Sequence, residues 1–280
     1  MQKKKFQQIV WTYYAKHKRC FAWRETNNPY HILVSEIMLQ QTQTNRVTHK
    51  YNEFLTLFPT VSSLATAKLS TVLHAWMGLG YNRRARNLHE TAKEIVETYK
   101  GQFPKDYQTL MSLPGIGQST AGAIMNFAFD TATPFIETNI RTVFIHHFYK
   151  DTKAKVSDRD LLQLVDETLP RPARHASDGK SVAGREWFYA LYDYGTYLKS
   201  TLAKDPSTMS RAYKRQSKFK GSFREKRSFV LRELLKSKMS KIEIQKLIKE
   251  KFGSLDGGDV VDALVKDRMI VSDKKLYQVV

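Results

Sequence analysis

Prolines and glycines divide most of this chain into short segments, and within each segment the apolar residues recur at helical spacing. Ile32, Ile37, Leu39 and Val47 follow a period of three to four residues, whereas alternating strand patterns are scarce before roughly the last fifteen residues. The interruptions leave room for helices of about ten to fifteen residues. The sequence therefore predicts an all-α protein built from short packed helices.

Five segments are expected along the chain. Residues 22–132 form a first helical subdomain, and residues 1–21 form an N-terminal helix that packs with a second helical subdomain, residues 133–200. Residues 201–223 are rich in Ser, Lys, Arg and Gln, which is typical of a basic linker. Residues 224–280 contain three amphipathic segments and two apolar runs around a polar turn, and this pattern predicts a small winged-helix-like module.

The charge balance indicates a polyanionic partner. The chain carries 46 Lys and Arg against 27 Asp and Glu, a formal net charge of +19. Nucleic acid is the leading partner class, although an anionic membrane surface would fit the charge alone. No apolar run approaches the roughly 18 to 20 residues of a spanning helix, and no secretory signal is visible. We expect a cytoplasmic protein without membrane attachment, associated with the nucleoid through DNA.

The most informative segment is Leu113-Pro-Gly-Ile-Gly-Gln-Ser-Thr-Ala-Gly122. Its glycines permit backbone angles and close approaches that side chains forbid, and the N-terminus of the following helix presents free amides to a phosphate. The segment therefore predicts a clamp for the DNA backbone, and a plain helix-to-helix turn is the alternative. The predicted backbone contacts in this clamp are Gly115, Gly117, Gln118 and Thr120.

Three further motifs accompany this hairpin in fixed order: Phe21-Ala-Trp-Arg24, Ser35-Glu-Ile-Met-Leu-Gln-Gln-Thr42 and Gly78-Leu-Gly-Tyr-Asn-Arg-Arg84. Over roughly residues 6 to 200 the set resembles the endonuclease III superfamily of helix-hairpin-helix DNA glycosylases, and within it the adenine glycosylase (MutY) branch. The resemblance implies two helical subdomains with the catalytic cleft between them. It also implies double-stranded DNA with a mispaired or damaged base as the partner, and we expect a monomer.

By this resemblance Glu36 is the central carboxylate. Breaking an N-glycosidic bond needs a proton for the departing base and a negative charge for the oxocarbenium-like sugar, and one carboxyl group can supply both in turn. A desolvated pocket should raise the pKa of Glu36. Glu137 stands where the family generally has an Asp, and its extra methylene moves the second carboxylate by about one carbon–carbon bond. Helix capping by Glu137 and Asn139 is the alternative.

The resemblance also implies a wedge and a base pocket. Tyr81 is expected to fill the gap that a flipped base leaves in the duplex. Ser119 stands where lyase-competent relatives carry a Lys that forms a Schiff base, so a monofunctional enzyme is expected. The other predicted substrate contacts are Trp23, Arg24, Gln40, Gln41 and Asn139, and Arg83 and Arg84 are predicted to contact phosphates.

Two departures from the family pattern concern cofactor and specificity. Most relatives carry four cysteines for an iron–sulfur cluster after the position of Tyr197, but here Leu198–Ser207 contains none and Cys20 is the one cysteine of the sequence. We therefore expect no cluster, no metal and no other cofactor. Residues 224–280 also differ from the usual strand-rich module that reads oxidised guanine opposite adenine.

The sequence thus predicts a base-excision-repair DNA glycosylase that hydrolyses the bond to a flipped adenine opposite G or 8-oxoguanine and leaves an abasic site. One alternative is a glycosylase for T or U opposite G, because such relatives share the scaffold and differ mainly in pocket residues. A catalytically silent DNA-binding protein is the alternative of another class.

Overall fold

The computed structural model describes residues 1–170 and 184–280. Within these ranges the chain is mostly helical, which confirms the predicted all-α class. The helices in chain order are α1 (Lys3–His17), α2 (Pro29–Leu39), α3 (Thr44–Leu57), α4 (Val61–Thr66), α5 (Leu69–Ala75), α6 (Arg83–Glu97), α7 (Tyr107–Ser112), α8 (Gln118–Phe127), α9 (Thr138–Phe148), α10 (Asp158–Thr168), α11 (Gly184–Thr201), α12 (Phe223–Leu234), α13 (Lys241–Phe252) and α14 (Gly257–Lys266). Short 3-10 turns cover Ala22–Arg24 and Pro206–Met209.

The chain divides into two compact units. Unit 1 comprises Met1–Glu36, Pro104–Ser112 and Ile116–Arg215. Unit 2 comprises Ile37–Phe103, Leu113–Gly115 and Gln216–Val280. The domain boundaries predicted from the sequence stay predictions.

The core of unit 1 is rich in aromatic side chains from α1, α9 and α11. The Phe6 ring lies 5.1 Å from Phe144 and 5.9 Å from Trp187, centroid to centroid, and all three side chains are fully buried. A Cβ atom on Gly195 would lie 2.5 Å from the Asn139 carbonyl oxygen, so glycine lets α11 approach the first turn of α9. This close approach brings side chains of α11 to the start of α9.

In unit 2, α4, α5 and α6 enclose an apolar core that includes the fully buried Leu64, Val72, Leu88 and Ile95. The amphipathic pattern of α6 places Leu88 and Ile95 inward, because apolar residues recur there every three to four positions. The Trp76 indole is fully buried, and it packs edge-on against the Phe54 ring with 6.0 Å between the centroids.

The C-terminal module, which we define as residues 223–280, belongs to unit 2. Its three helices are followed by a hairpin of β2 (Ile270–Asp273) and β3 (Leu276–Val279), in which Ser272 pairs with Tyr277. A two-residue strand, β1 (Met239–Ser240), pairs antiparallel with β3, so the strand order is β1-β3-β2. The winged-helix-like assignment of the C-terminal module stays a prediction.

Within the described ranges, every helix is too short or too polar to cross a membrane.

Candidate active site

Glu36 lies on α2 among residues that are almost entirely buried. Leu33, Val34 and Ile37 are each at most 1 % exposed, whereas the Glu36 side chain keeps part of its surface accessible. Burial raises the pKa of Glu36 to about 8, the negative charge of Glu137 acts in the same direction, and Arg24 opposes both. Burial and the charge of Glu137 thus favour the protonated carboxyl group near neutral pH, and the catalytic role of Glu36 stays a prediction.

Glu137 caps the N-terminus of α9. Its Oε1 accepts hydrogen bonds from the backbone N–H groups of Asn139 at 2.7 Å and Ile140 at 2.9 Å. Burial raises the pKa of Glu137, and these N–H groups together with Lys199 and Arg141 oppose the rise. The capping geometry that we considered as an alternative to catalysis is thus present, and the capped carboxyl group is near enough to Glu36 for their charges to interact.

Arg24 is the basic group whose charge lowers the pKa of Glu36, and it forms an ion pair with Asp193. Its guanidinium donates to both oxygens of Asp193, at 2.9 and 2.8 Å, and lies 4.4 Å from the Tyr189 ring centroid. Burial alone would lower the pKa of Arg24, but the hydrogen bonds and charge of Asp193 outweigh it and raise the pKa. Arg19 donates to the same carboxylate at 2.6 Å. Asp193 therefore fixes the position of Arg24 and shares its one negative charge between two guanidinium groups.

The Trp23 side chain is buried and packs against Phe21. Its indole is 4 % exposed and stacks on the Phe21 ring at 4.7 Å with an interplanar angle of 4°. The predicted contacts of Trp23 and Arg24 with a base stay predictions.

Sequence reasoning missed two residues of α11 that face this site. Tyr192 and Lys199 share one face of α11 with Gly195, because positions three and seven residues apart align on a helix. Lys199 Nζ donates to Asn139 Oδ1 at 3.0 Å, and the other amide atom of Asn139 lies 3.4 Å from Glu137 Oε2. Burial and the charges of Glu36 and Glu137 raise the pKa of Tyr192 well above its usual value. The helical spacing of Tyr192 and Lys199 around Gly195 is the signal in the sequence that could have indicated these two residues.

Gly115 in the hairpin has the left-handed backbone conformation that glycine permits. Gly115 has φ +77°, and a Cβ atom there would lie 2.7 Å from the Asn87 Cβ, so a side chain is excluded. Gly117 is the N-cap of α8, and Gln118 in the first turn is exposed. Ser119 is half-buried and Thr120 is buried. The phosphate contacts proposed for this segment stay predictions.

The predicted wedge region lies in unit 2. Gln41 and Tyr81 have left-handed backbones with φ +54° and +49°, and Gln40 precedes the first of them. Arg83 forms a bidentate ion pair with Asp267 of the C-terminal module, at 2.8 and 2.9 Å. The wedge and phosphate roles of these residues stay predictions.

Arg84 is buried and donates only to neutral oxygens. Burial lowers its pKa to about 10, and the nearby Tyr81 acts in the opposite direction, so the guanidinium stays charged at neutral pH. The acceptors, at 2.5–3.1 Å, are the carbonyl oxygens of Ile37, Met38, Gln40, Leu79 and Gly80 and the hydroxyl of Thr42.

The segment after α11 does not fit an iron–sulfur cluster, because it contains no thiol and Cys20 is the one cysteine of the sequence. Hydrogen bonds fasten this segment instead. Asp205 Oδ1 accepts from the Thr142 hydroxyl at 3.2 Å, and the Arg211 N–H donates to the Val156 carbonyl at 2.9 Å. Across residues 1–170 and 184–280, no group of three or more His, Cys, Asp or Glu could hold a metal ion.

A known protein family matches the part of the chain that contains Glu36, the hairpin and Glu137. Residues 34–167 match the HhH-GPD superfamily base excision DNA repair protein family.

Several curated relatives are named adenine DNA glycosylase. The one from Buchnera aphidicola subsp. Baizongia pistaciae is 36% identical over 165 residues, which cover 59% of this chain and 47% of the relative. Those from Mycolicibacterium smegmatis and Homo sapiens are 40% and 38% identical over 160 and 180 residues, or 57% and 60% of this chain and 54% and 33% of the relatives. The chain thus spans about half the length of the first of these relatives.

Solved structures share the fold. A thermostable thymine-DNA glycosylase aligns with a TM-score of 0.59 and 25% identity, over 69% of this chain and 85% of that one. Endonuclease III in a non-covalent DNA complex aligns with a TM-score of 0.53 and 18% identity, over 73% of this chain and 88% of that one.

Proposed function

We propose that this protein is a DNA glycosylase that excises mispaired adenine, and the match of residues 34–167 to the HhH-GPD superfamily base excision DNA repair protein family supports the proposal. The observation that carries the proposal is the position of Glu36 among buried apolar residues of α2, where burial and the charge of a second carboxyl group, Glu137, raise its pKa to about 8. The adenine preference is supported by the names of the curated relatives.

Glu36 acts first as an acid. With a pKa of about 8 it donates its proton to a ring nitrogen of the flipped adenine, and the bond between that base and the sugar breaks. The bonding electron pair leaves with the base, and positive charge develops on the sugar. The Glu36 carboxylate then accepts a proton from the water that attacks the sugar carbon, which regenerates the acid and leaves an abasic site.

Glu137 stabilises the positive sugar by its charge. Two backbone N–H groups fix one of its oxygens, and the nearby Lys199 favours the ionised form. Since the position of the carboxylate follows from the cap of α9, a Glu can serve where the family generally has an Asp.

The enzyme is monofunctional in this proposal. Ser119 has no amine to attack the sugar, so the abasic site is released without strand cleavage. The enzyme works without an iron–sulfur cluster, since the hydrogen bonds of Asp205 and Arg211 fasten the segment after α11. It acts as a monomer on double-stranded DNA in the cytoplasm, and the basic charge of the chain supports that partner.

A second candidate substrate is T or U opposite G. The structural similarity to a thermostable thymine-DNA glycosylase favours this alternative, because the two chains share the fold over most of the solved structure.

Alkali-developed cleavage of end-labelled duplexes tests the proposal. The duplexes carry A opposite 8-oxoguanine, A opposite G, T opposite G and U opposite G. We expect cleavage at adenine, and we expect Glu36→Gln to slow it by about a thousandfold because the proton donor is lost. Glu97→Gln, which changes an exposed Glu on α6, is the matched control and should leave the rate unchanged.

Each other outcome has a defined meaning. Cleavage confined to T or U would replace adenine by the second candidate substrate. Strand cleavage without alkali would contradict the monofunctional assignment. Binding without any cleavage would favour a catalytically silent DNA-binding protein.

A further inference from the structure

The C-terminal module takes no part in the proposed reaction, yet it holds the side chain of Tyr81. The Tyr81 hydroxyl hydrogen-bonds to Arg224 on α12 and to Gln216 in the segment before it. The Arg224 guanidinium also lies 4.8 Å from the Tyr81 ring centroid, within the range of a cation–π contact. The predicted wedge is thus bound to the C-terminal module through both its hydroxyl and its ring.

A second attachment lies two residues further along the chain. Arg83 pairs bidentately with Asp267, and Asp267 also accepts from Arg227 on α12. The Asp267 side chain is 12 % exposed, so this pairing is partly shielded from solvent. The contacts of Tyr81 and of Arg83, the first residue of α6, therefore connect the Tyr81 loop, Gly78–Tyr81, and the start of α6 to the C-terminal module.

A cavity of about 480 Å³ opens beside Tyr81 within unit 2. Its walls come from the Tyr81 loop and Gln41 on one side and from Gln216 and α12 on the other. The volume falls in the range of sites that take small ligands or single nucleotides.

The lining of this cavity combines positive charge with flat side chains. Its positive residues are Arg46, Arg224, Arg232 and Lys251, against one acidic residue, Glu225. Its aromatic residues are Tyr81, Phe219, Phe229 and Phe252. Guanidinium and aromatic planes stack on nucleobases, and cations attract phosphates, so the lining matches the two chemical parts of a nucleotide.

We propose that the Tyr81 loop and the C-terminal module together form a binding pocket for a nucleotide of the damaged duplex that adjoins the inserted Tyr81. The inference rests on the proposed function, because it takes Tyr81 as the wedge. The C-terminal module then gives the enzyme part of its preference for DNA from which a base has been displaced, and Arg224 contributes by stacking and by charge.

Binding to a duplex with a stable abasic-site analogue tests the pocket without requiring catalysis. Fluorescence anisotropy at fixed salt gives the Kd for this duplex and for an undamaged duplex of the same sequence. We expect Arg224→Met to reduce the ratio of the two affinities about tenfold, since stacking of one base is lost. Gln216→Ala, at an exposed position, should reduce the ratio in the same direction without affecting folding.

Arg268→Met is the matched control, because Arg268 is exposed on the C-terminal module and lies outside the cavity lining. It should weaken both duplexes equally through its lost charge. Equal weakening by Arg224→Met would refute the pocket and leave a general phosphate contact.

Loss of thermal stability in Arg224→Met and Gln216→Ala with the ratio intact would also refute the pocket, and would make the contact structural only. A wild-type protein with no preference for the abasic duplex would instead count against the proposed function itself.

Discussion

Arg24 in unit 1 and Arg84 in unit 2 are both buried, yet their charges are accommodated in different ways. Arg24 donates to the Asp193 carboxylate, whereas Arg84 donates to carbonyl and hydroxyl oxygens and to no carboxylate. An ion pair cancels a charge, but neutral dipoles solvate it and leave it in place. A buried arginine is thus held by a countercharge in one region and solvated by neutral dipoles in the other.

The consequence differs for each region. Beside Glu36, burial raises the pKa of the carboxyl group to about 8, although Arg24, itself paired with Asp193, acts in the opposite direction. Beside Tyr81, the Arg84 guanidinium lies 5.5 Å from the Tyr81 ring centroid, and its acceptors among the described residues are neutral oxygens. In the proposed function, the first arrangement suits a proton donor and the second suits a loop that binds DNA.

The largest effect is expected where the ion pair is broken. Asp193→Asn leaves Arg24 buried without a countercharge, which should lower the free energy of unfolding by about 3–5 kcal/mol. Urea denaturation measures the loss. Asp262→Asn, which removes an exposed partner of Lys241, should cost less than about 0.5 kcal/mol, and equal losses would show that Arg24 does not depend on its carboxylate.

A smaller loss is expected for Arg84→Met, which leaves several carbonyl oxygens without donors. We expect about 2 kcal/mol in urea denaturation, because an unsatisfied buried acceptor costs about 1–3 kcal/mol and the half-buried acceptors can bond to water instead. Arg84→Lys should restore little of this, since an ammonium group cannot reproduce the fork of donors that reaches six acceptors. Full restoration by Lys would mean that charge, and not hydrogen-bond geometry, holds the region.

The third prediction concerns pH. The folded-state pKa of Glu36 is raised from 4.5 to about 8, so its stabilising contribution is complete below pH 4.5 and is lost as the pH rises towards 8. Glu36→Gln should therefore match the stability of the wild type near pH 4.5 and exceed it near pH 8.5, where the wild type has lost this contribution. Thermal unfolding at both pH values checks this, and a constant difference would contradict the raised pKa.

The smallest effect is expected for Lys199→Met. Lys199 opposes the rise in the pKa of Glu137, so its removal should raise that pKa further. If ionised Glu137 is needed, the acidic limb of the pH–rate profile moves to higher pH. Lys199→Arg keeps the charge and should leave the limb in place, whereas a purely structural role would lower the rate without moving the limb.

Most of the site residues that could be predicted from the sequence lie in short local motifs. Glu36, Glu137 and Arg24 were identified from short motifs, and all three lie in unit 1 with charges that act on one another. The partner of Arg24 was missed because Asp193 is 169 residues away, and such a separation leaves no local pattern.

The arginines after Tyr81 show a second limit. Arg83 and Arg84 are adjacent in the sequence, yet Arg83 is exposed and pairs with Asp267, whereas Arg84 is buried. Which of two adjacent arginines turns inward depends on where free carbonyl oxygens lie. That distribution is a property of the folded loop and not of its composition.

The capping role of Glu137 has a thermodynamic consequence. Because its Oε1 is fixed by two backbone N–H groups of α9, the side chain loses its rotational freedom when the protein folds. In the proposed reaction, the entropy of orienting the carboxylate is therefore lost once, during folding, and not again in every catalytic cycle. Fraying of the first turn of α9 would reach the reaction as a loss of rate before it became visible as a loss of stability.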